Sequence, residues 1–103
     1  MTYEDALAAL SDPRRRAILE ALREGPLSVS QIAQGQPVSR PAVSQHLKVL
    51  ETSGLVAARK EGQRRIYAIE PKGLADLRRY LDGLWGTALE AFATETGTDR
   101  AGQ

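Results

Sequence analysis

Apolar residues recur at helical spacing in several stretches of this chain, and each stretch is bounded by residues that start or stop helices. Tyr3, Ala6, Leu7 and Leu10 fall at i, i+3, i+4 and i+7 and predict a short first helix, capped by Thr2 with Asp5 as its box partner. Ser11-Asp12-Pro13 breaks it and opens a second helix, with Asp12 as cap and Pro13 in the first turn. Ala17, Ile18, Ala21 and Leu22 supply its buried side, and Gly25-Pro26 ends it. Leu27 to Gln34 reads as a short third helix capped by Ser28, with Gln31 completing a capping box. A Gly35-Gln36-Pro37 turn then leads into the stretch from Ser39 to Thr52, SRPAVSQHLKVLET.

That stretch predicts the fourth helix. Ser39 is its N-cap, Pro41 is tolerated so near a helix start, and Gly54 stands at the C′ position that ends it. At about 100° per residue, Val43, Leu47 and Leu50 lie within about 40° of one another, a narrow apolar stripe that must pack on the domain. Pro41, Ser44, Gln45 and Lys48 face the other way, with Arg40 at the margin, and no acid lies among them. Ser and Gln can exchange hydrogen bonds with base edges, and Arg and Lys can reach guanine or phosphate, so the face has the chemistry of groove reading. A solvated surface face is the competing reading, and the neighbouring elements decide between the two.

Two short runs follow, Leu55 to Arg59 and Arg64 to Ile69. They flank Lys60-Glu61-Gly62-Gln63, a hairpin signal with glycine available for positive φ. From Pro71 to Ala93 the helical period returns for about six turns: Leu74, Leu77, Leu81, Leu84, Trp85, Ala88 and Phe92 form one stripe, with Asp76, Arg79, Gly83 and Glu90 on the far side. The expected fold is mainly α with a small β-hairpin: four helices, two strands and a long last helix, a winged helix-turn-helix. One domain over residues 1–93 is expected, and a flexible tail over 94–103, where no large apolar residue occurs.

The last stripe is longer than the core of so small a domain can cover. Part of it, with the first helix, is expected to meet a second copy: Tyr3, Leu7, Leu10, Leu77, Leu81, Leu84, Trp85, Ala88 and Phe92 form the expected dimer face. The competing account has the stripe closing the intrachain core. For Trp85 and Tyr80 singly, a place in the core is favoured over a ligand pocket near the dimer seam.

Charge sharpens the picture once divided along the chain. The net +1 of the 103 residues splits into −1 over residues 1–35, +4 over 36–66 and −2 over 67–103, so the positive excess sits on the fourth helix and the hairpin. Arg14, Arg15 and Arg16 stand in the first turn of the second helix, where the macrodipole disfavours cations. They ask for local pairing with Asp12 or Glu20, or for phosphate. There is no cysteine, no apolar run of the roughly 20 residues a membrane span requires and no basic leader, so a soluble, cytoplasmic protein is expected. No nucleophile, base and orienter grouping and no glycine-rich phosphate loop occurs, which argues against an enzyme; no cofactor is expected.

Three segments, ALSDPRRRAILEAL at Ala9 to Leu22, PVSRPAVSQHLKVLETSGLV at Pro37 to Val56 and EGQRRIYAI at Glu61 to Ile69, resemble the ArsR/SmtB winged-helix repressors in order and spacing. The resemblance runs from about Ala6 to Phe92 and implies a homodimer on operator DNA, with dimer contacts from the first and last helices. It implies base or backbone contacts from Arg40, Pro41, Ser44 and Gln45, and wing contacts from Gly62, Gln63 and Arg64 or Arg65. Metal-sensing members carry paired cysteines where this chain has Ser28 and Ser30, and the family's second metal site needs histidines that the last helix lacks. A metal-independent member is therefore expected. His46, the one histidine, lies at the border of the buried stripe, and packing or phosphate contact is favoured over a switch.

The function expected is a sequence-specific regulator, most directly a homodimeric repressor on a palindromic operator. Ser39, Arg40, Pro41, Ser44, Gln45 and Lys48 of the helix, and Arg59, Lys60, Gly62, Gln63, Arg64 and Arg65 of the wing, form the expected DNA face. The alternative is a winged-helix protein-interaction module, which calls for an apolar outer face in place of this polar one.

Overall fold

The computed structural model describes residues 2–96, with side chains to Ala93. Helix α1 (Tyr3–Ala9) is followed by α2 (Pro13–Ala21), which tightens into a 3₁₀ turn over Leu22–Glu24. Strand β1 (Leu27–Ser28) leads into α3 (Val29–Gln34) and α4 (Arg40–Thr52). Strands β2 (Val56–Glu61) and β3 (Arg64–Ile69) form the wing, and α5 (Pro71–Thr96) closes the chain. This is a winged helix-turn-helix with the expected element order and one addition, the strand β1. The helix therefore runs three residues past Ala93, and the rest of the expected tail, 97–103, lies outside the described residues.

Helix ends follow the caps. The Thr2 hydroxyl accepts the Asp5 N–H at 3.2 Å and the Ser39 hydroxyl the Ala42 N–H at 3.3 Å. Ser28 and Gln31 form the reciprocal capping box, so α3 begins at Val29, not at Leu27. An N-cap residue must keep extended backbone, and Ser28 (φ −81°, ψ 166°) does. That extension is why Leu27 and Ser28 pair antiparallel with Tyr67 and Ile66 of β3, turning the expected two-stranded hairpin into a three-stranded sheet of order β1-β3-β2. At the far end of α4, Gly54 (φ 82°) donates to the Glu51 carbonyl at 3.0 Å, and Leu55 donates to Leu50 at 2.9 Å. These are the two bonds of a Schellman ending.

The core gathers around α4. Val43, Leu47 and Leu50 have no exposure, and Ile18, Leu19, Leu22, Ile32, Leu55, Val56 and Tyr67 join them in one cluster. Leu19 is buried where the spacing had favoured Ala17 and Ala21, both half-buried. Leu77, expected on the partner face, is 6% exposed and belongs to this core, because the first turns of α5 pack back onto the domain; Leu10 and Leu74 border the same cluster. At the start of α5, a Cβ on Gly73 would collide with the Gly54 carbonyl, so the two backbones touch with nothing between them.

The remaining length of α5 is a rod, and it accounts for the long dimension of a molecule measuring 60 × 25 × 22 Å. Every residue from Leu81 to Phe92 is exposed, Trp85 by 66%. The favoured core position for Trp85 is thus corrected: among the described residues it stands outside the core, on the exposed length of the rod. Tyr80 is half-buried and stacks on Tyr3, ring centroids 4.0 Å apart and 11° from parallel.

The arginine run is resolved locally. Arg14 and Arg15 approach the Asp12 carboxylate at 3.4 and 3.6 Å, while Glu20 pairs with Arg23 instead. Arg15 also donates to the carbonyls of Ala8 and Ala9, and Arg16 to that of Leu10 at 2.7 Å. Those carbonyls lie at the negative C-terminal end of α1, where its regular i→i+4 bonds run out, so the cations that α2 disfavours at its own start are welcome at the end of its neighbour. The backbone N–H of Arg14, aided by both guanidiniums, holds the Asp12 carboxyl below its ordinary pKa of 3.8.

Two outcomes are expected in unfolding experiments. Gly73→Ala forces the α4 and α5 ends apart and costs about 2 kcal/mol, whereas Gly83→Ala, on an open face of α5, adds about 0.5–1 kcal/mol; urea melts should show opposite signs. Asp12→Ala lowers the melting midpoint by a few degrees at pH 7. Because the folded-state pKa is depressed, the wild-type advantage is complete above pH 3.8 and shrinks as pH falls through the lower folded value, so melts taken at descending pH should converge.

Candidate nucleic-acid interface

The first turn of α4, the first turn of α3 and the tip of the wing enclose a cleft of about 600 Å³, lined by Ser28, Val29, Ser30, Arg40, Pro41, Ser44, Gln63, Arg64 and Arg65. Six of the expected contact residues thus meet in one place: Arg40, Pro41 and Ser44 from the helix, Gln63, Arg64 and Arg65 from the wing. No acid lines it. The convergence is a product of the fold, because the buried Val43–Leu47–Leu50 stripe fixes which side of α4 faces out. Pairing of β3 with β1 then carries the wing across the start of α3.

The wing turn has two residues, Gly62 and Gln63, between the paired Glu61 and Arg64. Gly62 has φ 62° and Gln63 does not enter positive φ, the pattern of a II′ turn, which twists with the strands and keeps the tip narrow. Arg65 is held by two residues: its Nε donates to the Tyr67 hydroxyl at 3.3 Å with the guanidinium 5.8 Å over the same ring, and Glu51 is 3.9 Å away. The Tyr67 hydroxyl, seconded by the Glu51 carboxylate, raises the guanidinium above its ordinary pKa. Arg64 reaches the Gln31 side-chain oxygen at 3.4 Å.

The other expected contacts are distributed around the cleft. Gln45 and Lys48 are exposed on α4, and Lys48 borders a separate hollow with Arg15, Asp5 and Thr52. Arg59 and Lys60 are exposed on β2, the outer strand, where Arg59 pairs with Glu61 at 2.9 Å. Ser39 serves as the N-cap, and His46 is half-buried at the edge of the stripe. None of Arg40, Ser44, Gln45, Lys48 or Lys60 has a side-chain hydrogen bond or ion pair with another described residue, so their donors and acceptors face solvent.

Sequence reasoning did not assign Val29 and Ser30 to this face. The signal was the capping box at Ser28, which fixes a helix start that the turn then folds across the start of α4. On the rod, Leu89 is 49% exposed and was likewise not anticipated. Among the described residues, no group of three or more His, Asp or Glu side chains converges as a metal site would require, and no helix is long and apolar enough to cross a membrane.

Comparison with known proteins bears on the fold and the family. Residues 12–58, which run from the cap of α2 into β2, match the family model described as bacterial regulatory protein, arsR family. The HTH-type transcriptional regulator Rv2034 of Mycobacterium tuberculosis is 56% identical over 88 residues, 85% of this chain and 82% of that protein. The transcriptional repressor SdpR of Bacillus subtilis is 34% identical over 68 residues, 66% of this chain and 76% of that one. Among solved structures, the chain resembles the homodimeric winged helix-turn-helix DNA-binding domain of Mycobacterium bovis Mb0332, a possible ArsR-family regulator. The TM-score is 0.65 at 31% identity, covering 88% of this chain and 82% of that one. These relatives are regulators, not enzymes, and the helix-turn-helix, the wing and the sequence together show that this chain belongs to the ArsR family of bacterial transcriptional regulators, with a DNA-binding helix-turn-helix.

Proposed function

We propose that the protein is a cytoplasmic homodimeric repressor that binds a palindromic operator, each copy placing α4 in the major groove and its wing against the backbone. The observation that carries this reading is the cleft: five polar or cationic contact residues, with Pro41 beside them, meet from separate elements around a space with no acid in its lining. Arg40, Ser44 and Gln45 are assigned to base edges, and Lys48, Arg59, Lys60, Arg64 and Arg65 to phosphates, with Ser39, Pro41, Gly62 and Gln63 setting the approach of the two backbones. The relative from B. subtilis is named a repressor, which supports the negative sign of regulation.

The dimer reading draws on the exposed rod. Leu81, Leu84, Trp85 and Phe92 are 44–66% exposed, Ala88 lies among them, and Tyr3 and Leu7 are each 40% exposed. An apolar strip of that extent on a small protein favours a self-complementary contact, and the M. bovis relative is described as homodimeric. A two-fold axis there sets the two α4 helices about 34–36 Å apart, one turn of duplex. Control by something other than a transition metal is part of the proposal. The hydroxyl of Ser28, at a position where metal-sensing members have cysteine, is occupied as the cap of α3, and the chain has no thiol.

The reading is tested on duplexes recovered by selection from random DNA. Affinity should fall linearly with log salt. Lys48→Ala should lower the slope by about one unit at unchanged sequence preference, whereas Arg40→Ala with Gln45→Ala should abolish the preference. Leu84→Glu with Trp85→Glu should give a folded monomer at micromolar concentration whose operator affinity is weaker by about 100-fold or more, since the second half-site no longer binds in concert. A wild-type monomer, or equal affinity for every duplex, would overturn the proposal.

A further inference from the structure

We propose that Gln31 is a positioning residue for DNA binding: its side-chain oxygen holds the Arg64 guanidinium at the mouth of the cleft while leaving the charge available to DNA. The inference rests on the assignment of Arg64 to a phosphate. Gln31 Oε1 accepts the Ser28 backbone N–H at 2.8 Å and the Arg64 Nη2–H at 3.4 Å, a contact between residues 33 positions apart. One oxygen thus completes the start of α3 and ties the wing to it. The backbone beneath the contact is fixed as well, because Ser28 pairs with Ile66, two residues beyond Arg64 in β3.

The choice of amide is the informative feature. A capping box accepts glutamate as readily as glutamine at this position, and glutamate would grip Arg64 harder through charge. It would also neutralise that guanidinium and bring the first carboxylate to a cleft that has none. The two neighbouring wing arginines show the alternative: Arg59 is paired with Glu61 at 2.9 Å, and Arg65 has Glu51 at 3.9 Å. Among the described residues Arg64 is the wing arginine with no carboxylate within ion-pair distance. Glutamine therefore meets two demands that glutamate would set against each other, orientation of the cation and preservation of its field.

The test is a double-mutant cycle on the full chain, with binding to a duplex from random-sequence selection followed across a salt series and melting recorded for each variant. In the wild-type background Arg64→Ala should weaken binding about tenfold and lower the salt slope by about one. Gln31→Glu should weaken binding by a comparable factor without lowering the melting midpoint, because the capping box survives. Adding Arg64→Ala to it should then cost less than twofold. Gln31→Ala, which loses cap and tether together, should likewise shrink the effect of Arg64→Ala, so the cycle reads out even where stability falls. A full tenfold effect of Arg64→Ala in both Gln31 backgrounds, or wild-type affinity for Gln31→Glu, overturns the positioning role and leaves the DNA-binding reading intact. An Arg64→Ala variant that binds as wild type in the native background overturns the phosphate assignment, and the inference with it.

Discussion

Burial of one narrow stripe on α4 organises the molecule. Val43, Leu47 and Leu50 are removed from solvent entirely, which at about 25 cal/mol per Å² of apolar surface makes them a large part of what stabilises so small a core. Their spacing leaves one orientation open to the helix, and that orientation turns Pro41, Ser44, Gln45 and Lys48 outward. The Schellman ending at Gly54 carries the same constraint into the wing, since Leu55 follows the glycine directly into the core beside Leu50. A polar outer face and the start of a β-ribbon are therefore both set by three apolar contacts.

Cations in this protein serve two distinct ends. Arg15 and Arg16 turn inward to carbonyls at the end of α1, and Arg14 turns to Asp12, so the densest run of positive charge in the sequence is a joint between helices. Arg40, Lys48 and Lys60, more widely spaced along the chain, keep their charges toward solvent. Local density of arginine thus says less about a nucleic-acid surface than whether nearby acids and carbonyls already satisfy it.

Much of the fold was legible because its signals are local. Ser39 with Pro41, Ser28 with Gln31, Asp12 with Pro13, and Gly54 after Thr52 each act within one turn of helix, and each appears in the structure where the sequence placed it. What escaped reading depends on contacts between distant segments. Two residues of β1 have no periodicity to detect, and Leu27 becomes a strand only because Tyr67 lies opposite it. Leu77 and Trp85 share one helical stripe, yet one is buried and the other bare, because the domain ends partway along α5. The polar face of α4 was readable from spacing alone, whereas its enclosure by Val29, Ser30 and the wing required the turn and the sheet to be in place.

The seat between Gly73 and the Gly54 carbonyl has a mechanical meaning. A layer of leucines between two helices can take up a fraction of an ångström by changing rotamers, but two abutting backbones have no such give. The start of α5 therefore cannot move closer to the end of α4 without displacing the Gly54 backbone. The direction in which the rod leaves the domain is thus set by backbone against backbone, not by side chains that could repack.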